Sequence, residues 1–309
     1  MIAVEDVIYV RYRVPDLDRM ERFLLDFGMR RAQRTENALY MRGVCDSPFV
    51  HVSELGAESK SLGFGMRAAS LEDLQSLASQ TGSRVEDNPL PGGGRCVRLT
   101  DPCGFDVWVH HGMQRQPITE PREPHALPNV FARRQRQGES IRSNSGPSSV
   151  YRLGHVVLQS PDTAPSFDFY SRLLGLKVAD AYFKGSPDQV VGRFLRCGLG
   201  ERYTDHHSVG LFDSPKTRIA HSAFEVLDLD DLMMGNAHLL KCGYAHSWGV
   251  GRHVEGSQIF DYWRDPFGNK IEHFTDGDQI NERYPVGMQP ISIEGLSQWA
   301  PPMPPNFFD

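Results

Sequence analysis

The sequence predicts an α+β fold of four repeated βαβββ modules, paired into two similar halves. Three observations carry this prediction. Four segments read as an apolar strand followed by an acidic, amphipathic helix, starting at Val7, Ser61, Arg152 and Arg218. An Asp-Pro-x-Gly turn recurs late in each half, in CVRLTDPCGFDVWVHH (96–111) and FDYWRDPFGNKIEHFT (260–275). The 309 residues, 39% hydrophobic and 10% aromatic, suffice for about two ordinary domain cores.

Each module follows one order. The strands alternate or run apolar, and the helices place apolar residues three and four apart. Pro15-Asp16 and Pro161-Asp162 mark helix starts. After each helix comes a Gly-bounded turn and then short β-prone runs. The Asp-Pro-x-Gly turn has a physical cause, since Pro fixes φ and Gly permits positive φ. These signals bound an N-terminal domain at 1–112 and a C-terminal domain at 150–280. Residues 113–149 between them are polar, with Arg133, Arg134 and Arg136 and then SNSGPSS, and read as a linker with a solvated or salt-bridged basic patch. The 281–309 tail has four prolines among its last nine residues, which forbids a helix there. Its Trp299, Phe307 and Phe308 are expected to pack on a domain or a neighbouring subunit.

Composition narrows the class of function. A formal net charge of −6 gives no footprint for nucleic acid. No apolar run is long enough to span a bilayer, and no signal-peptide pattern is present. Five cysteines (Cys45, Cys96, Cys103, Cys197, Cys242) show neither CxxC nor zinc spacing, and read as mostly buried free thiols in a reducing cytoplasm.

The chemistry-bearing residues are His155, His221 and Glu272, each in a strand-like stretch of the second half. None is evidence alone, because most lone histidines in strands are structural and a lone Glu can be a solvated edge charge. Their placement in the repeat is informative. His155 and His221 take equivalent positions on the first strands of their modules, and Glu272 lies on the last strand of the fourth. The first half has Tyr9, about Gly63 and Trp108 at those places. One half is therefore expected to bind metal and the other not. Two imidazoles and one carboxylate form a facial triad that leaves half of the coordination sphere open, suited to non-haem Fe(II), with Mn(II) the alternative.

With these residues the chain resembles the two-domain type I extradiol ring-cleavage dioxygenases, catechol 2,3-dioxygenase-like members of the vicinal oxygen chelate superfamily with its glyoxalase-like fold. The resemblance runs from about Val7 to Asp278 and is most specific over 251–272, where Gly251, His253, Tyr262, Asp265, Pro266, Gly268 and Glu272 fit the family signature. Asp261 departs from it, since an apolar residue usually precedes the Tyr. Strand alternation sends Asp261 to the face opposite Tyr262, toward an outer surface or contact. His207 falls where the family keeps its acid/base, and a neutral histidine can take and return a proton near pH 7. His206 beside it reads as a surface residue. His253 and Tyr262 match residues that hydrogen-bond the substrate oxygens and the bound oxygen. Arg252 reads equally as a balance for substrate charge or as a surface residue. Val157, Leu199 and Trp248 are pocket candidates.

The resemblance implies a homo-oligomer that takes a mono- or bicyclic catechol as its monoanion together with O2. It implies a ring-opened, yellow, muconic-semialdehyde-like product, with His207 supplying the proton for O–O cleavage. Three rivals share the fold. A glyoxalase-type isomerase would use more carboxylates with Zn or Ni and would not need His207, His253 and Tyr262. A hydroxyphenylpyruvate-type dioxygenase would be longer, with a C-terminal helix over the site. A non-enzymatic ligand-binding protein would not need complete metal ligands.

Overall fold

The computed structural model describes residues 2–119, 129–142 and 145–308, so parts of the 113–149 connection lie outside the described residues. The first half comprises β1 (Val4–Val14), α1 (Leu17–Asp26), β2 (Arg30–Arg34), β3 (Ala38–Arg42), β4 (His51–Leu55), β5 (Lys60–Ala68), α2 (Leu71–Thr81), β6 (Glu86–Asp87), β7 (Arg95–Thr100) and β8 (Asp106–His111). The second half repeats the order with β9 (Val150–Ser160), α3 (Ala164–Leu173), β10 (Lys177–Phe183), β11 (Val190–Arg196), β12 (Thr204–Asp205), β13 (Val209–Asp213), β14 (Arg218–Val226), α4 (Leu229–Lys241), β15 (Ala245–His253), β16 (Ile259–Arg264) and β17 (Lys270–Thr275). Beyond these lie β18 (Gln279–Ile280), β19 (Gly287–Pro290) and β20 (Ser297–Trp299).

The first sheet runs β2-β3-β4-β1-β5-β8-β7-β6, and the second runs β19-β10-β11-β13-β9-β14-β17-β16-β15-β20. At the centre of each, the first strands of two modules pair antiparallel, β1 with β5 and β9 with β14. Their outer neighbours run parallel to them: β4 and β8 in one half, β13 and β17 in the other. The C-terminal tail extends the second sheet at both ends, with β19 beside β10 and β20 beside β15.

Local chemistry explains the elements. Asp16 caps α1 by accepting from the Asp18 and Arg19 backbone N–H groups, both at 2.9 Å. Leu17, Met20, Phe23 and Leu24 then form its buried stripe. At α3 the cap falls one residue later than the sequence indicates. Thr163 is the N-cap, and the Asp162 carboxylate accepts from the Ala164 N–H. The two Asp-Pro-x-Gly turns are built alike. Asp101 Oδ1 accepts from Cys103 and Phe105 N–H, Asp265 Oδ1 from Phe267 and Asn269 N–H, and Gly104 and Gly268 take φ of 90° and 88°.

One apolar core runs through both halves, from Val4 and Phe23 to Phe224 and Ile271. The halves are also tied by polar contacts. Asp101 Oδ2 accepts from Ser166 Oγ and Tyr170 Oη across the boundary, both at 2.9 Å. The Tyr12 hydroxyl meets Ser222 Oγ at 3.2 Å, and the His273 ring stacks on Phe27 at 3.7 Å while bonding the Phe27 carbonyl. Asp261 does face away from Tyr262, but that face is not an outer surface. Asp261 is fully buried, accepting from Asn236 on α4, His246 and the Trp263 indole.

Candidate metal centre and catalytic pocket

Register brings the three ligand candidates together. On the second sheet Ala223 of β14 pairs with His155 of β9 on one side and with Glu272 of β17 on the other. Paired residues share a face, so the small Ala223 methyl lies between two longer side chains that lean over it. His221, two residues before Ala223 on β14, faces the same way. His155 Nε2 lies 3.3 Å from His221 Nε2 and 3.4 Å from Glu272 Oε2, and His221 Nε2 lies 3.3 Å from Glu272 Oε2. The centre of such a triangle is about 1.9 Å from each vertex, so an ion slightly above its plane reaches ordinary N and O ligand lengths of roughly 2.0–2.2 Å. His155 and Glu272 are buried, and both Glu272 oxygens and His155 Nδ1 have no hydrogen-bond partner. A fully buried carboxylate with no donors is costly unless a cation completes it. The donor set therefore fits a divalent metal.

The same row in the first half reads Tyr9, Gly65, Trp108. Tyr9 takes the strand position of His155: its hydroxyl bonds His110 Nε2 at 2.7 Å, and a Cβ on Gly65 would meet its ring at 2.1 Å. Gly63, opposite in role to His221, has φ +153° and a Cβ there would meet the Asp106 carbonyl oxygen at 1.9 Å. No side chain can be accommodated at that position. Trp108 stands between the Arg11 and Arg98 guanidiniums, at 4.4 and 4.5 Å.

The open side of the triad faces a cavity of about 360 Å³. Its apolar wall includes Val157, Phe194, Phe212, Trp248, Ile291 and Phe307. Val157 and Trp248 are thus where sequence reasoning expects them. Leu199 is not: it packs against the main core. The tail forms part of the wall. Phe307 is buried against Trp248 and Tyr262, whereas Trp299 and Phe308 are about half exposed. Arg218 donates to the Phe308 carbonyl and Lys270 to the Phe307 carbonyl, so the tail is pinned over the mouth from beside the triad. Phe307 packs on the domain as its aromatic character leads one to expect, but its place over the cavity has no signal in the sequence, because Pro-rich segments lack a periodic pattern.

Three further side chains flank the triad. His207 stacks on Phe194 at 4.2 Å, with its ring centre 4.3 Å from that of His155. Burial, with His155 and His206 beside it, holds its pKa well below the usual histidine range. On the other side, His253 Nδ1 bonds the Leu296 carbonyl at 2.8 Å. That nitrogen must donate, so Nε2 is left to accept from the Tyr262 hydroxyl at 2.9 Å. Burial and the nearby Glu272 charge push the Tyr262 phenol well above its ordinary value, so it remains a neutral O–H. Burial likewise keeps His221 and His253 low, which leaves neutral imidazoles available as ligand and as acceptor.

One sequence reading is corrected here, and one left open between two alternatives is narrowed. His206 is not a surface residue. It precedes β13 in a connection, where strand alternation does not apply, and is 1% exposed. Arg252 does not face the cavity; it donates to the Ser257 carbonyl and to Asp276 at 2.7 Å.

The geometry agrees with what the chain resembles. Residues 152–273 match the model of the glyoxalase/bleomycin resistance protein/dioxygenase superfamily. Metapyrocatechase 2 of Cupriavidus necator is 30% identical, over 99% of this chain and 92% of its own length. The chain belongs to the extradiol dioxygenase family of the vicinal oxygen chelate superfamily. An iron-dependent extradiol dioxygenase of Rhodococcus jostii strain RHA1 is 24% identical, covering 94% of this chain and 96% of that protein. A Mn(II)-bound glyoxalase from Novosphingobium aromaticivorans superposes with a TM-score of 0.82 at 21% identity, covering 100% of this chain and 95% of that one. This last likeness is one of fold. As a family member the chain is an oxidoreductase with a glyoxalase-like α+β fold.

Proposed function

We propose that this dioxygenase cleaves a catechol-type ring next to its diol, with residues 150–280 as the catalytic domain, 1–112 as a metal-free structural domain and 113–149 as their linker. His155, His221 and Glu272 would hold the metal, Fe(II) by kinship with the iron-dependent relative and Mn(II) by the same donor set. The observation that carries the reading is that the buried triad opens onto one apolar cavity flanked by His207 on one side and His253–Tyr262 on the other. When bound, the metal would supply coordination sites for the diol and for O2, and a path for electron density from the ring to O2.

The chain's own residues do the rest. Phe194, Trp248 and Phe307 sandwich an aromatic ring and exclude water. The Tyr262 hydroxyl gives its one proton to His253 Nε2, which leaves its oxygen to accept from a protonated oxygen held beside Glu272, its cross-strand partner. His207, neutral and at the cavity wall, takes a proton from one diol hydroxyl and returns it when the O–O bond breaks. The cavity admits a mono- or bicyclic catechol. We extend the proposal to a cytoplasmic homo-oligomer with neither nucleic acid nor membrane as partner; the net charge of −6 gives no footprint for nucleic acid, and among the described residues no helix is long and apolar enough to cross a membrane.

The test is a catechol panel on anaerobically reconstituted Fe(II) enzyme, followed by O2 uptake and the yellow ring-opened product. His221→Ala should lose metal and activity together; near-stoichiometric metal in that variant would overturn the ligand assignment. His207→Phe should keep its iron and bind catechol but turn over roughly 10²–10⁴-fold more slowly. A wild-type rate would remove His207 from the acid/base role.

A further inference from the structure

Behind the cavity lies a buried row of three polar side chains that the ligand set does not use. His206 is fixed in one orientation. Its backbone N–H donates to the Asp278 carbonyl at 3.0 Å, and its ring stands edge-on to Phe194 and Tyr284. Its Nε2 lies 2.6 Å from Asp180 Oδ2, and its Nδ1 lies 3.1 Å from His207 Nδ1. Asp180 of β10, His206 and His207 are 4%, 1% and 3% exposed, so water does not compete for these bonds.

The bonds determine where each hydrogen sits. A carboxylate oxygen only accepts, so His206 Nε2 donates. With a single proton on the His206 ring, its other nitrogen is bare, so Nδ1 accepts. The hydrogen between the two rings must come from His207 Nδ1. His207 lines the cavity, and its remaining nitrogen, Nε2, carries a free lone pair. We propose that Asp180 and His206 are positioning residues that hold His207 as the Nδ1–H tautomer, presenting bare Nε2 to the diol as the proton acceptor. The proposal rests on His207 being the acid/base. As the diol O–H breaks, the N–H forms at Nε2. The resulting imidazolium keeps its Nδ1–H bond to His206, whose Nε2–H bond to Asp180 carries the stabilisation on to a fixed negative charge. Return of the same proton restores the starting row. The wrong tautomer would offer the diol a second N–H where an acceptor is needed, which elsewhere costs orders of magnitude in rate with the geometry intact.

The test compares His206→Asn, His206→Gln and His206→Phe in the Fe(II) enzyme. An Asn amide reaches the place of Nδ1 and can accept from His207, whereas a Gln amide reaches the place of Nε2 and serves Asp180 only. His206→Asn should keep kcat within about fivefold, while His206→Gln and His206→Phe lose about a hundredfold at unchanged KM and metal content. Anaerobic binding of 4-nitrocatechol, whose visible absorption shifts on ionisation, should show less ionised ligand in the two slow variants and not in His206→Asn. Equal rates for the Asn and Gln variants, or a wild-type rate for His206→Phe, would overturn the proposal. If His206→Phe fails to fold, the Asn–Gln pair decides alone. Slow His207→Phe with fast His206 variants removes only the positioning role, whereas fast His207→Phe removes the acid/base reading beneath it.

Discussion

Glu272→Gln should abolish metal binding and yet make the metal-free protein more stable. Glu272 is 0% exposed, and neither carboxylate oxygen has a hydrogen-bond donor. In the metal-free chain at pH 8 it faces two imidazoles, of which His221 is kept neutral by burial. Leaving a buried charge without its partner costs about 3–5 kcal/mol. Taking the low end, the neutral, nearly isosteric amide should gain roughly 3 kcal/mol in the metal-free state, or about 6 °C in Tm at ~2 °C per kcal/mol for a chain of this size. The metal reverses this ranking. Wild type at a metal concentration of ~1,000 Kd gains about 4 kcal/mol, and the variant gains nothing. The assay is calorimetry of both proteins after chelation and again with anaerobic Fe(II) or Mn(II). The reasoning fails if chelated Glu272→Gln melts at or below chelated wild type, or if the variant's Tm rises with metal as the wild type's does.

Two other outcomes follow from buried groups. Burial lowers both His51 and His110 to about 3, against roughly 6.5 in the unfolded chain. Between those values the unfolded chain binds more protons, so their contribution is complete above pH 6.5 and is lost as the pH falls toward 3. At pH 5 the loss is about 2 kcal/mol for each, and urea melts should show His51→Gln with a shallower decline between pH 6.5 and 4 than wild type; an unchanged slope would contradict it. Phe307→Ala opens the cavity wall beside Trp248 and Tyr262, and should raise KM for the preferred catechol roughly tenfold with kcat nearly unchanged, as expected for uniform binding. A fall in kcat at constant KM would instead assign the tail to the chemical step.

Much of the fold was legible because the repeat is written in the sequence. The four strand-to-helix starts and both Asp-Pro-x-Gly turns lie where periodicity and turn chemistry place them. The correspondence of His155, His221 and Glu272 with Tyr9, Gly63 and Trp108 follows from the same alignment, and each pair occupies the same position within its strand. What could not be read depends on tertiary packing. His206 looks like an exposed neighbour only if it lies on a strand, and its burial depends on Asp180, 26 residues earlier on β10. Asp261 looks like a surface exception until α4 covers its face with Asn236. The tail's place over the cavity is set by Arg218 and Lys270, far away in sequence.

The bond from Asp101 to Ser166 and Tyr170 bears on how such a chain could change over time. Asp101 belongs to a half that lacks the ligand set, yet its carboxylate is consumed by a helix of the half that has it. If the two halves descend from one duplicated ancestor, the copy that lost its ligands was not thereby released from selection. It became the mould against which its twin is cast. Excising it would strand the Tyr170 hydroxyl and uncover Phe224 and His273, so a shortened gene would yield an insoluble fragment and not a minimal enzyme. A change at Tyr9 or Trp108 disturbs packing within one half, whereas a change at the seam disturbs both halves at once.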